Sequence, residues 1–294
     1  MLAPAPNAFR YGRPVAGLGN LFRLRGKLLC VALSAAALAA CTSPAPAPPP
    51  TPPPAPFVTA ILDAGTAGTA QYGYQLVDVT PVEIGSVPDG QQAFVWLGGY
   101  DNNTCSWSWS DAQIVALFSQ YHVATARTAG YFLADEPNTA GTCPSAPDDV
   151  RARALLVRSL DPDPRHFTFA NIDDPAQFRS FRDTVDVLGT DPYPCRAGRS
   201  CDWSLIPRYV AALQAAGVRR YLPLLQAFGA GNWRWPTGAE LGNMIAQWQR
   251  SSWSGEITFS WSYGGGHLSD HPDLLTVLRQ LNYDPLFPFP QPGR

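Results

Sequence analysis

The sequence predicts an α/β fold of the (β/α)8 barrel type, preceded by a signal peptide and a proline-rich linker. From residue 57 onward, short apolar runs alternate with amphipathic segments at intervals of roughly thirty residues, the order produced by parallel strands with outer helices. Polar side chains follow the apolar runs, at the strand ends where such barrels place their functional groups. Together these two observations favour a closed parallel barrel.

Six strand–helix units can be recognised from residue 92 onward. Their strands are predicted at residues 92–97, 131–136, 166–171, 185–191, 221–228 and 257–263. Their helices are predicted at residues 110–121, 147–160, 174–182, 203–216, 237–250 and 272–281, with Ser110 and Thr237 as N-caps. Residues 57–62 read as a further strand, and the stretch 57–90 is expected to supply two strands with reduced helices, which completes the barrel.

An open doubly wound sheet is the competing arrangement. A dinucleotide-binding sheet carries a glycine-rich phosphate loop after its first strand, and residues 64–68 (Ala-Gly-Thr-Ala-Gly) lack the required glycine pattern. The closed barrel is therefore preferred.

Residues 1–40 have the layout of an export signal. Arg23, Arg25 and Lys27 precede an apolar run at residues 28–40 that is too short to span a bilayer as a helix. The run ends in Leu38-Ala39-Ala40-Cys41, which resembles a bacterial lipobox, and this resemblance implies cleavage before Cys41 and lipidation of its thiol. An ordinary signal peptide with a chance cysteine is the alternative.

Residues 41–56 contain the lipidated cysteine and a linker of Pro, Ala and Thr. Such a segment favours extended polyproline geometry at about 3.1 Å per residue, so it would hold the domain of residues 57–294 away from a membrane. We expect an exported protein, anchored only by lipid at the periplasmic or extracellular surface.

Composition and cysteine usage narrow the function further. The net charge is −2 and 15% of residues are charged, which argues against a nucleic-acid partner. Four cysteines outside the signal suggest two disulfides, and we favour Cys195–Cys201 and Cys105–Cys143 among three possible pairings. A zinc site is the alternative, but neither pair has Cys-x-x-Cys spacing. We expect a monomer without a cofactor.

The polar residues at the predicted strand ends are the candidate site. They are Asp63, Asp101, Asp135, Glu136, Asn171, Asp191, Gln226 and Tyr263. In a closed barrel these ends converge on one face. Glycoside hydrolysis needs paired carboxyl groups on such a face, one to protonate the leaving oxygen and one to attack the sugar or activate water. The simpler interpretation is that Asp135 and Glu136 only solvate a strand end.

Aromatic residues near the same loops are candidate stacking surfaces for sugar rings. They are Trp96, Trp107, Trp109, Tyr193, Trp233, Trp235 and Trp261. Core packing is the simpler interpretation for Trp96 and Trp261, which lie inside predicted strands. We place Tyr193, Trp233, Trp235, Trp261 and Tyr263 among the candidate substrate contacts.

Two short motifs resemble the large retaining clan of (β/α)8 glycosidases. Ala134-Asp135-Glu136-Pro137 resembles the Asn-Glu-Pro signature on the fourth strand, and Asp191-Pro192-Tyr193-Pro194 resembles an Asp-x-Tyr-Pro turn after the sixth strand. The resemblance implies that Glu136 is the general acid and that Asp135 binds a sugar hydroxyl.

The predicted seventh strand departs from that clan, because it ends near Gln226 where the clan carries a nucleophilic glutamate. Three interpretations remain open: an inverting pair of Glu136 with Asp191 or Asp63, a substrate-assisted mechanism, or a barrel that binds sugar without cleaving it. We favour the inverting pair, which needs carboxyl groups about 6.5–9.5 Å apart. Asp135, Asn171, Asp101 and Gln226 would then hold substrate or water.

The functional hypothesis is a glycoside hydrolase that acts on a polysaccharide or glycan at the cell surface. The alternative is a non-catalytic glycan-binding or solute-binding surface lipoprotein. A cluster of His267, Asp270 and His271 is compatible with a metal site, but a polar loop that precedes the last helix is the favoured interpretation, so no metal is predicted.

Overall fold

Eight parallel strands close into a barrel in a computed structural model that describes residues 57–65, 67–139 and 143–290. The strands are β1 (Val58–Ile61), β2 (Leu76–Val79), β3 (Gln92–Trp96), β4 (Thr128–Asp135), β5 (Phe167–Asn171), β6 (Val187–Thr190), β7 (Tyr221–Gln226) and β8 (Gly255–Phe259). Each strand pairs with the next in sequence, and β8 pairs with β1. The predicted (β/α)8 fold is confirmed, and the strand that carries Glu136 at its end is the fourth.

Helices surround the barrel in the predicted order. They are α1 (Asp111–Tyr121), α2 (Ala146–Leu160), α3 (Phe178–Phe181), α4 (Leu205–Ala216), α5 (Gly238–Trp248) and α6 (Pro272–Tyr283). The first two strands are followed only by 3-10 segments, Thr69–Tyr72 and Pro81–Ser86, as expected of reduced units. Ser110 and Thr237 cap α1 and α5 through complete capping boxes.

Two predicted elements differ from the structure. The helix expected at residues 174–182 divides into a 3-10 turn, Pro175–Gln177, and the short α3, because Asp174 caps the turn separately by accepting from the Ala176 backbone N–H. The last strand ends at Phe259 rather than at residue 263. The chain then turns into a small hairpin of Ser262–Tyr263 and Gly266–His267.

Side chains fill the interior of the barrel. The inward residues are Ala60, Leu62, Leu76, Phe94, Phe132, Phe167, Phe169, Val187, Leu222, Leu224 and Ile257. The rings of Phe132 and Phe169 lie 4.8 Å apart, and a Cβ on Gly189 would come within 2.2 Å of the Phe169 ring. Because this interior is packed, a ligand must bind above it, at the C-terminal ends of the strands.

Glu256 on β8 is a buried acid of the outer layer. Its side chain is fully buried between the barrel and the helices and accepts a hydrogen bond of 2.8 Å from the Thr258 hydroxyl, which in turn accepts one of 2.8 Å from the Tyr74 hydroxyl. Burial raises the pKa of Glu256 well above its usual range, so the neutral carboxylic acid is the favoured form in the folded protein.

Both predicted disulfides are present. Cys105–Cys143 joins the loops after β3 and β4, and Cys195–Cys201 closes a tight turn in the loop after β6. Disulfides are characteristic of extracellular and periplasmic proteins. In the part of the chain that the structure describes, every helix is too short or too polar to cross a membrane. The predicted signal, Cys41 and the linker lie outside the described residues.

The buried acid makes stability depend on pH. Because the pKa of Glu256 is higher in the folded protein than in the unfolded chain, the free energy of unfolding should fall as the pH rises above the unfolded value of about 4.3. We expect Glu256→Gln to be more stable than the wild type at pH 8, by a margin that shrinks toward pH 4 at up to about 1.4 kcal/mol per pH unit. Urea unfolding across this range measures the margin.

Glu240→Gln is the matched control. Hydrogen bonds from Arg234 lower the pKa of Glu240 to about 2, so its contribution is present at neutral pH and is lost as the pH falls through the folded value. This variant should therefore be the less stable one at pH 7 and approach the wild type in acid. An identical pH dependence of the two variants would contradict the assignment of Glu256 as a neutral buried acid.

Candidate active site at the barrel mouth

The end of β4 presents Asp135 and Glu136 to the mouth of the barrel. Glu136 has a φ of 47°, a left-handed conformation that is uncommon for residues other than glycine. Its N–H donates to the Asn171 carbonyl over 2.9 Å, and its carbonyl accepts from the Asn102 side chain over 2.8 Å. Backbone bonds on both sides therefore fix the conformation that turns the Glu136 side chain away from the line of the strand.

Glu136 and Asp191 are neighbours in the mouth, and each carboxyl group affects the pKa of the other. Burial and the adjacent Glu136 raise the pKa of Asp191 well above its usual range, and burial raises the pKa of Glu136 as well. Both carboxyl groups therefore retain a proton to a higher pH than an exposed carboxyl group does.

The raised pKa of Asp191 bears on its predicted role as the base of an inverting pair. A base must be ionised to accept the proton of the attacking water, whereas burial and the charge of Glu136 favour the neutral form of Asp191. The other predicted partner, Asp63, is exposed just after β1.

Four more carboxyl groups belong to residues at or just beyond the C-terminal ends of β1, β2, β4 and β5. Together we call them the acidic cluster, which comprises Asp63, Asp78, Asp135, Glu136, Asp173 and Asp191. Burial raises the pKa of Asp135, and the charges of Asp173 and Asp63 add to the effect. Burial and the charge of Asp63 raise the pKa of Asp78 to about 7. At neutral pH some carboxyl groups of the cluster therefore carry a proton, and the others remain negatively charged.

Sequence reasoning missed two members of this cluster. Asp78 lies inside β2, where an acid in a short apolar run gave no sign of facing the other carboxyl groups. Asp173 follows β5 by two residues, and its position just beyond a strand end was a usable signal. The Tyr209 hydroxyl on α4 donates to the Asp173 carbonyl over 2.5 Å, which connects the loop after β5 to α4.

Aromatic side chains form the other side of the mouth. We call them the aromatic wall, which comprises Tyr193, Phe228, Phe259 and Tyr263. The rings of Tyr193 and Phe259 are stacked, with centroids 6.1 Å apart, and Tyr263 is 45% exposed. Burial and the charges of Asp191, Asp135 and Glu136 raise the pKa of Tyr193 well above its usual range, so its hydroxyl lies beside the acidic cluster.

Gln226 holds protein backbone rather than facing the mouth. Its side-chain oxygen accepts from the Cys195 N–H over 2.9 Å, and its nitrogen donates to the carbonyls of Cys195 and Arg234 over 2.8 and 3.0 Å. The residue is completely buried. This differs from the predicted contact with substrate or water, because the amide is already fully used by the loops after β6 and β7.

Two other predicted contacts serve local structure. Asp101 accepts from the Asn103 N–H over 2.8 Å and from the Thr104 hydroxyl over 2.9 Å, which forms the turn of a small hairpin. Asn171, 1% exposed, donates to Asp135 over 3.1 Å and so orients that carboxylate. Asn171 therefore supports the site from behind, while Asp101 lies in the rim.

The tryptophans divide between the mouth and the supporting loops. Trp233 lies behind the aromatic wall, 6.2 Å from Tyr193, with the Arg196 guanidinium 5.6 Å from its ring. Trp235 stacks on His271 at 3.8 Å, and Trp261 lies 6.0 Å from Tyr72, so both rings are used in packing. Trp107 and Trp109 also pack, since Arg153 lies over the Trp107 ring and Trp109 lies against the hydrophobic core.

Known structures with a similar fold are glycosidases. Sequence comparisons with family models and with curated proteins give no match. The chain is similar in structure to the β-galactosidase of the Antarctic haloarchaeon Halorubrum lacusprofundi, with a TM-score of 0.56 and 12% identity over 78% of this chain and 57% of that one.

It is also similar to a chitinase from Chromobacterium violaceum, with a TM-score of 0.52 and 10% identity over 78% of this chain and 99% of that one. A GH128 endo-β-1,3-glucanase from Amycolatopsis mediterranei gives a TM-score of 0.51 and 14% identity over 76% and 99%. At these identities the likeness concerns the fold alone: the chain has a glycosidase-like (β/α)8 barrel.

Replacement of Gln226 tests its structural role. Gln226→Ala removes three hydrogen bonds, two of them buried, and leaves the Cys195 N–H without its partner, so the free energy of unfolding should fall by about 2–4 kcal/mol. Gln247→Ala is the matched control, because Gln247 is also buried but its side-chain nitrogen makes no hydrogen bond within the described residues. Equal losses in urea unfolding would contradict the role assigned to Gln226.

Proposed function

We propose that this protein is a glycoside hydrolase that acts on a polysaccharide or glycan, with Glu136 as the proton donor. The observation that carries the proposal is the position of Glu136 at the end of β4, held by backbone hydrogen bonds, where burial raises the pKa of its carboxyl group. A carboxyl group whose pKa is raised by burial keeps a proton near neutral pH and can deliver it to the leaving oxygen of a glycosidic bond.

Asp63 is the carboxylate that we propose as the base. It follows β1, three strand positions from β4 around the barrel, and β7 is also three positions from β4 on the other side. The clan that the sequence resembles carries its second carboxylate at the end of the seventh strand, so β1 offers an equivalent distance across the mouth. A φ of 56° directs Asp63 out of the strand, and its side chain is exposed to solvent.

The remaining groups of the mouth suit a sugar ring. Tyr193 and Tyr263 offer an aromatic surface on one side, and Asp135, oriented by Asn171, offers hydrogen-bond acceptors on the other. The glycosidase folds of the similar structures support the same substrate class. We further propose that the mature protein begins at a lipidated Cys41 and acts at the cell surface, for which the two disulfides are the supporting observation.

A second candidate function is glycan binding without cleavage. It is favoured by one specific observation: the amide of Gln226 at the end of β7 is bonded into the neighbouring loops, in the place where related barrels carry an acid. In this case Glu136 and Asp191 would act as a hydrogen-bonding pair for sugar hydroxyls. Loss of activity in specific variants distinguishes the two functions.

The first test is Glu136→Gln. This change keeps the size of the side chain but removes the transferable proton, so release of reducing ends from a responsive glycan should fall by about 10²–10⁴-fold while glycan affinity is retained. Asp183→Asn is the control, because Asp183 is exposed before β6, at the opposite end of the barrel from Glu136. Hydrolysis by Glu136→Gln at the wild-type rate would exclude Glu136 as the donor.

The second test concerns the base and the stereochemistry. Asp63→Asn should lower hydrolysis by a similar factor of about 10²–10⁴, since an amide cannot accept the proton of the attacking water. Proton NMR of the first product should show inversion at the anomeric carbon. Retention of configuration, or full activity of Asp63→Asn, would contradict the assignment of Asp63.

A further inference from the structure

Glu136 keeps an uncommon backbone conformation at the end of β4. Its φ of 47° lies in the left-handed region, which is unfavourable for a residue other than glycine unless neighbouring groups hold it there. The Asn171 carbonyl at the end of β5 accepts from its N–H over 2.9 Å and fixes one side of the residue. On the other side Pro137 follows, which has no N–H to donate. The carbonyl side of Glu136 therefore has to be held by another part of the chain.

The side chain of Asn102 holds the chain on both sides of Pro137. Its Nδ2 donates to the Glu136 carbonyl over 2.8 Å, and its Oδ1 accepts from the Asn138 N–H over 2.8 Å. An amide carries its donor and its acceptor in one rigid plane, so the two bonds together fix the turn after β4 against the loop after β3.

The loop after β3 in turn holds Asn102 in place. Asn102 lies in the turn of a hairpin whose two short strands, Tyr100–Asp101 and Ser106–Trp107, pair with each other. Cys105 in the same turn is cross-linked to Cys143, and the Cys143 sulfur lies 3.1 Å from the Asn102 carbonyl oxygen. The hairpin and the disulfide therefore restrict the positions that the Asn102 amide can take.

Gln177 holds the far end of the same turn after β4. Its Oε1 accepts from the N–H and the hydroxyl of Thr139 over 2.7 and 2.9 Å, and its Nε2 donates to the Asn138 side chain over 3.3 Å. Gln177 is itself only 4% exposed. Because the far end of the turn has these bonds of its own, loss of the Asn102 side chain would act mainly on the end that carries Glu136.

We propose that Asn102 is a positioning residue for the proton donor Glu136. This inference rests on the proposed glycosidase function and names the group that sets the geometry of that same site. Asn102 acts through the backbone of residues 136 and 138, so it directs the Glu136 carboxyl group without touching the sugar. Proton transfer requires close alignment, and a displacement of about 1 Å can lower the rate by about 10²-fold.

The first test reads the backbone of the turn and needs no glycan. Asn102→Ala removes both bonds, so amide hydrogen exchange followed by NMR should become at least about tenfold faster at Glu136 and at Asn138. The Glu136 N–H is the more informative group, because its own acceptor, the Asn171 carbonyl, is unchanged in the variant. Unaltered exchange at Glu136 would overturn the proposal.

Asn103→Ala is the matched control for this test. Asn103 is exposed in the same turn, and its N–H donates to Asp101. Because Ala at position 103 keeps that N–H, exchange at Glu136 and the rate of hydrolysis should both stay at the wild-type values. Equal effects of the Asn102 and Asn103 variants would mean that any change in this turn disturbs Glu136, which overturns a specific role of the Asn102 amide.

The second test measures hydrolysis of the glycan that the Glu136→Gln comparison identifies. Asn102→Ala should lower kcat about 10- to 10²-fold and leave KM within about twofold, because the carboxyl group is misplaced while the surfaces that bind sugar are unchanged. Asn102→Asp keeps the size of the side chain but cannot donate to the Glu136 carbonyl, so a similar loss of kcat is expected. Wild-type kcat in either variant, or a loss confined to KM, would overturn the proposal.

The two tests together separate this inference from the function on which it rests. Hydrolysis that depends on Glu136 but not on Asn102 would retain the glycosidase and remove the positioning role. Faster exchange at Glu136 in the Asn102→Ala variant of a protein that hydrolyses no glycan would retain the hold of Asn102 on the turn and remove the catalytic function.

Discussion

Repulsion between neighbouring carboxyl groups constrains the mouth of the barrel. Burial raises the pKa of both Glu136 and Asp191, and the charges of neighbouring carboxylates add to the effect, because adjacent ionised carboxylates repel each other. The backbone bonds that fix Glu136, the orientation of Asp135 by Asn171 and the raised pKa of Tyr193 all accompany this arrangement.

Local features of the chain were predictable from the sequence. The number of cysteines outside the signal indicated two disulfides, and the favoured pairing was one of three. The strand that ends at Asp135, the capping box of Thr237 and Glu240, and the reduced units before residue 90 follow from patterns within a few residues. These features depend on short-range hydrogen bonding and on the alternation of apolar residues. The closed barrel then follows from the repeated unit, because parallel strands bring their C-terminal ends together.

The distances between side chains were not predictable in the same way. Whether Asp191 touches Glu136 or lies a water molecule away depends on the stagger of β4 against β5 and β6, which no local pattern records. Gln226 faces the loops because Cys195 and Arg234 present backbone groups to it after two separate loops have folded. Asp78 belongs to the site only because β2 lies next to β1. In each case, contacts between distant parts of the chain decide the role of the residue.

The two disulfides have a consequence for how the domain tolerates change. Cys105–Cys143 and Cys195–Cys201 close segments of 38 and 6 residues, and both lie entirely in the loops above the strands. Neither joins β1 to β8, so closure of the barrel depends on strand pairing and on the packed interior. The disulfides therefore constrain the loops that shape the mouth, but not the barrel beneath them. Substitutions that weaken the barrel can lower the stability of the whole domain. In the molecules that remain folded, the cross-linked loops keep their local shape.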